Sequence, residues 1–159
     1  MRNFKIELKW GLIFIVVSLI WMGMENVAGL HTVHIDKHAY YTNLFAIPAI
    51  LVYVLALRDK RNNFYNGSMT WKQGFIAGLI ITVIVALFSP LTQLITHKII
   101  APSYFANAIE HGVAIGRDRE ALEGYFNLKS YIMQSIFGAL SMGIVTAAVV
   151  ALFVKKKEG

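Results

Sequence analysis

His31, His34 and His38 fall within eight residues of the stretch GLHTVHIDKHAYYTNL, residues 29–44, with Asp36 among them. Neutral imidazole is a frequent ligand of zinc and of other transition metals. With a helix starting near Thr32, a residue type suited to an N-cap, the steps of three and four put all three rings on one face. That face would take zinc or another divalent metal, with Asp36, Glu25, His97 or His111 completing the shell from another segment. The segment lacks the paired H-E-x-x-H spacing, and a closed site needs three or four donors converging at about 2.0–2.2 Å. The plainer reading is a helix start at a membrane interface, where an amphipathic imidazole is comfortable.

A second group of polar residues recurs inside apolar runs. Ser89, Gln93 and His97 are spaced by four, while Glu25 and Asn26, Asn43 and Gln134 lie near the corresponding ends of three other apolar stretches. Ionisable groups in a membrane are costly and tend to face an interior or a wet cavity, so Glu25, Asn43, Gln93 and His97 are candidate ligand or ion residues. The competing reading is a structural polar cluster near the water interface. No nucleotide fingerprint, Walker loop or nucleophile elbow occurs, so no catalytic residue is assigned and the chain reads as a non-enzyme.

The elements that carry these residues follow from composition. Hydrophobic residues make up 57% of the 159 and charged residues 15%, with mean hydropathy +0.56, against about 45–50% and about 25% in soluble domains. Such a chain would overfill a soluble core and needs lipid against its surface. With no cysteine, disulfides, thiolate nucleophiles and cysteine-bound metals are excluded. The net charge of +6 is distributed over segment ends rather than one patch, which argues against nucleic acid as a partner.

A bilayer core of about 30 Å needs roughly 20 helical residues. Four runs qualify, at about 10–30, 39–57, 74–96 and 130–154, and all are too long for membrane β-strands. The expected fold is an all-α integral membrane domain over residues 1–159, with four transmembrane helices. Arg2, Lys5, Lys9, Arg58, Lys60, Arg61, Lys72, Lys155, Lys156 and Lys157 fall on one side, against Lys37, Lys98, Arg117, Arg119 and Lys129 on the other. The positive-inside rule then places both termini in the cytoplasm. Trp10 and Trp71 would mark the inner interface, and Tyr40, Tyr41 and Tyr131 the outer one. The basic, apolar N-terminus lacks a small-residue cleavage pattern and reads as a retained anchor.

Asn66-Gly67 punctuates the connector between spans two and three. Residues 97–129 form a longer outer connector with helical signals of its own. Pro102-Ser103 opens one piece, Gly116 breaks it, and Asp118 caps a second that is expected to run into span four. The pair reads as an amphipathic extracytoplasmic cap, with Phe105, Leu122, Tyr125 and Phe126 turned toward lipid or bundle. Gly74, Gly78, Thr82 and Ala86 form one small-residue stripe, and Ser135, Ala139, Gly143, Ala147 and Ala151 another. The two are expected to face each other, or one to face a second copy. Pro48 and Pro90 free the carbonyls of Leu44 and Ala86 and predict kinks.

The segments YTNLFAIPAI, LALRDKRNNFYNGSMTWKQGFIAGLI, SPLTQ and YFNLKSYIMQSIFGALSMG, in this order, resemble over nearly the whole chain the bacterial membrane proteins catalogued as domain of unknown function 4199, found especially in Bacteroidota. The resemblance implies a small multi-pass protein of the bacterial inner membrane and supplies no site residues. The leading expectation is thus a non-enzymatic membrane component that packs with itself or a membrane protein partner and needs no cofactor. The alternatives are a small transporter or ion-binding protein using Glu25, Asn43, Gln93 and His97, and a metal-binding protein using His31, His34 and His38.

Overall fold

The computed structural model describes residues 4–156. Arg2 and Lys157, counted above among the basic residues of one side, lie outside the described residues. Helix α1 spans Lys5–Val27; α2, Ile35–Tyr41, continues through a 3₁₀ turn, Thr42–Phe45, into α3, Ala46–Asn63. Helix α4, Trp71–Ile95, ends in a π-helical turn, Thr96–Ile100, and is followed by the short helices α5, Tyr104–Ala114, and α6, Arg119–Tyr125, and by α7, Leu128–Val154. Four helical stretches are long and apolar enough to cross a membrane: Lys5–Val27, Ile35–Asn63, Trp71–Ile100 and Leu128–Val154. No strand occurs among the described residues, where a Met69–Lys156 bridge pins the chain end to the α3–α4 connector.

The small-residue stripes meet. A Cβ on Gly78 would lie 2.5 Å from the Ala147 methyl, and one on Gly143 would lie 2.5 Å from Thr82 Cγ2. Helix α4 therefore packs backbone-close on α7, the mode open to apolar helices that gain little from excluding lipid. Helices α1 and α3 complete a ring, each touching the other and α4, with α3 also against α7. The outer surface is apolar: Phe153 is 83% exposed and Leu87 72%. A soluble protein would not leave such residues in water over a whole bundle.

One end of the ring is built from charge. Lys60 Nζ lies 2.9 Å from Glu7 Oε1, both side chains being buried. Asp59 is held by Lys9 and by Trp10 Nε1, and Arg61 donates to the Val154 carbonyl at 3.0 Å. These contacts carry α3 six residues beyond the apolar run that ends at Leu57. Asn66, with φ 51°, and Gly67, with φ 93°, make the expected turn, and a capping box between Thr70 and Gln73 starts α4.

The prolines act differently. Thr42–Phe45 tightens to 3₁₀ ahead of Pro48, whereas α4 runs through Pro90. The Ala86 carbonyl that Pro90 frees accepts the Ser89 hydroxyl at 2.8 Å, so its hydrogen bond is replaced rather than lost. Asp118 caps α6 as expected, accepting from Ala121 N at 2.8 Å. The second cap piece does not run into span four: Asn127 interrupts it and caps α7 by accepting from Ser130 N at 2.9 Å. Tyr131 joins the cap's aromatic cluster, its hydroxyl 3.0 Å from that of Tyr104.

Candidate metal centre

The end of the ring opposite the charged one holds the histidines. Glu25 sits in the last turn of α1, which closes in a Schellman arrangement: Leu30 N–H donates to the Glu25 carbonyl at 2.9 Å, Gly29 N–H to that of Asn26 at 3.0 Å. Gly29 takes φ 77°, a conformation that costs glycine no Cβ strain. Its carbonyl then accepts from Thr32 N at 3.0 Å and His34 N at 2.8 Å. This compact turn reverses the chain and carries His31 back over Glu25. His38 follows one turn into α2 and closes the group from the other side.

Glu25 Oε2 lies 3.3 Å from His31 Nε2 and 3.5 Å from His38 Nε2. Glu25 and His31 are each 3% exposed. The other carboxylate oxygen, Oε1, accepts from Trp21 Nε1 at 2.7 Å, one helical turn back. Oε2 has no hydrogen-bond partner although it is buried. Its two imidazole neighbours stand beyond the 2.7–2.9 Å or so of a charge-assisted hydrogen bond. They stand instead at the donor–donor spacing of about 3.3 Å that tetrahedral bonds of about 2.0–2.1 Å to one ion would impose. One ligand atom from each of the three residues lies within 4.8 Å of the others.

The surroundings hold this group in place. Helix α5 covers it: Asn107 Nδ2 donates to the His31 carbonyl at 2.9 Å, and the Tyr104 ring lies 5.2 Å from that of His31 and 5.0 Å from that of His38. Tyr104 hydroxyl is 3.5 Å from His38 Nδ1. Burial pushes this phenol above its ordinary range, so it stays an O–H at neutral pH. The π turn faces His97 inward beneath the cap, stacked on Phe105 at 4.2 Å, with its Nε2 3.0 Å from Gln93 Oε1. If Nε2 carries the proton, His97 Nδ1 is left as a buried acceptor without a partner.

The candidate residues thus separate into two groups. Of the three histidines, His31 and His38 converge, while His34 is exposed at the N-cap of α2 because that helix starts at Ile35 and not near Thr32. Asp36 and His111 are outside the cluster, which Glu25 completes. Glu25 and the pair Asn43 and Gln93 do not form one site: both amides line a cavity between the long helices, and Asn43 Nδ2 donates to the Ala39 carbonyl at 2.7 Å. His97 stands between, bonded to Gln93 and stacked on Tyr104 at 5.4 Å.

A family model described as a protein of unknown function, DUF4199, matches residues 9–156. The chain belongs to this family. The match takes in the Glu25 turn, α2, the cap and the cavity, so every candidate residue of this DUF4199 chain lies within it. Comparison with curated proteins and with solved structures found no match. Two neighbours of the site were not tied to it by the sequence. Trp21 is legible in retrospect, since a residue four before Glu25 shares its face. Tyr104 is not, because only the fold of the cap sets it against α2.

Proposed function

We propose that this DUF4199 chain is a small integral membrane protein that binds one divalent transition metal through Glu25, His31 and His38. The observation that carries the reading is the buried, unpartnered Oε2 of Glu25 between two imidazole nitrogens at 3.3 and 3.5 Å. Two imidazoles and one carboxylate suit zinc or iron(II), and three protein donors leave a coordination position for an exogenous ligand. The anionic donor offsets the hydration the cation would lose beneath α5.

The site lies on the extracytoplasmic side of the bacterial inner membrane in this reading, with both termini cytoplasmic. The support is the grouping of Lys5, Lys9, Arg58, Lys60, Arg61, Lys72, Lys155 and Lys156 at the other end of the bundle. Action through packing with another protein has less behind it, since Gly74, Gly78 and Thr82 spend their close approach on α7 within the chain. Elemental analysis of protein purified without a histidine tag, then reloaded with zinc and desalted, tests the proposal. Near-stoichiometric metal is expected in the parent and in His34→Ala, with loss in Glu25→Gln and His38→Ala. Absence of metal from the reloaded parent, or its retention in both ligand variants, would overturn it.

A further inference from the structure

A cavity of about 390 Å³ lies between α1, α3, α4 and α7 in the half of the bundle nearer the cap, within the range of about 300–1,000 Å³ of small-molecule sites. Phe14 and Tyr53 line its inner part, beside Thr146. Tyr53 is fixed there by a 2.8 Å hydrogen bond between its hydroxyl and that of Thr82. Toward the cap the lining turns polar, through Asn43, Thr92, Gln93 and Ser135. No acidic, basic or histidine side chain contributes to the wall.

The cavity also has a side entrance. Helices α3 and α7 share a core through Tyr53, Ala56 and Leu57 against Ala147, Val150 and Ala151. Nearer the cap, Ile50 and Met142 line the cavity and are at the same time 47% and 64% exposed. A Cβ on Gly138, another lining residue, would meet nothing within 4 Å. An opening between α3 and α7 therefore faces sideways, where hydrocarbon surrounds the bundle.

From this we infer that the cavity binds an uncharged amphiphile drawn from the membrane. A hydrocarbon chain enters between α3 and α7 and lies against Phe14 and Tyr53, and a hydroxyl or carbonyl head reaches Asn43 and Gln93. The uncharged wall selects against a charged head, because an ion placed there would lose its hydration without a counter-charge. Gln93 spends Oε1 on His97 and retains its NH₂ as a donor; Asn43 spends its NH₂ on Ala39 and retains Oδ1 as an acceptor. One donor and one acceptor at the polar end fit a hydroxyl head.

Photolabelling in phosphatidylcholine vesicles with a diazirine-tagged long-chain alcohol, mapped by mass spectrometry, tests the inference. Adducts are expected on Ile50, Ala139 and Met142 in excess of their exposure, relative to the outward-facing Phe153. Gly138→Leu, at a position with free space around it, is expected to lower cavity labelling about tenfold while leaving Phe153 labelling unchanged. Gln93→Leu, which keeps the entrance open, is expected to lower it as well. Labelling that follows exposure alone, equal cavity labelling by a phosphorylated analogue, or no change in either variant would overturn the inference. Because the chain has no cysteine, a single Ala139→Cys variant reports directly on a second copy. A disulfide-linked dimer through that residue in native membranes would assign the opening to a partner helix and overturn the inference too.

Discussion

Glu25→Gln separates a metal site from a polar cluster that merely holds helices together. The substitution keeps the shape of the side chain and an oxygen for Trp21 Nε1, which donates at 2.7 Å, but removes the anionic donor that faces both imidazoles. Loss of an outer hydrogen-bond partner of a metal ligand costs about 10–100-fold in affinity, so loss of the carboxylate itself should cost at least about 100-fold. Zinc at 100 times the parent dissociation constant stabilises the folded state by about 2.7 kcal/mol. For the variant the same concentration equals the dissociation constant and contributes about 0.4 kcal/mol. The difference, about 2.3 kcal/mol, corresponds to about 5–9 °C in Tm for a chain of this size, at about 2–4 °C per kcal/mol. Thermal melts in detergent with and without zinc supply the measurement. The parent should show a zinc-dependent rise that magnesium does not reproduce, because a hard ion prefers an all-oxygen shell. An equal zinc-dependent rise in Glu25→Gln, or none in the parent, would refute the reasoning.

Tyr104→Phe should weaken zinc binding about tenfold by calorimetry, because the hydroxyl that faces His38 Nδ1 at 3.5 Å is removed. Lys60→Met should destabilise by about 3–5 kcal/mol in thermal melts by leaving buried Glu7 without its 2.9 Å partner. The double variant Glu7→Gln/Lys60→Met should recover most of that loss, since a neutral pair avoids the burial of two charges. Gly143→Val should cost about 1–3 kcal/mol from overpacking against Thr82. Gly23→Ala, where the new methyl meets nothing within 4 Å, should instead stabilise by up to about 1 kcal/mol of helix propensity, read as a small rise in Tm.

The long-range architecture was legible because its signals are periodic. Apolar length located four spans, and a four-residue repeat of small side chains located the seam where Gly78 meets Ala147. The site was less legible because it depends on a reversal. Equal weight for His31, His34 and His38 follows only if one helix runs through all three. The turn at Gly29 ends that face: it swings His34 out to the cap of α2 and brings Glu25, six residues before His31, beneath the rings. Depth along a span also proved too coarse a guide. Glu25, Asn43 and Gln93 lie near the same end of the bundle, yet the amides turn into the cavity and the carboxylate toward the histidines.

The distribution of unsatisfied atoms argues that the two imidazoles of the site are not equivalent. Among the described residues, the buried side-chain atoms without hydrogen-bond partners are Glu25 Oε2, His31 Nδ1 and His97 Nδ1. All three lie at the cap end of the bundle, and each such atom calls for a physical reason. An ion held by Oε2 and both Nε2 atoms, as proposed above, would supply one for the carboxylate and would fix each proton on Nδ1. For His38 that N–H meets the Tyr104 oxygen, which in turn reaches Tyr131 at 3.0 Å. For His31 it meets nothing, although Asn107 holds the residue by its backbone carbonyl. In the proposed site His38 is therefore the imidazole whose basicity and orientation the protein would tune through its ring, whereas His31 is positioned through its main chain.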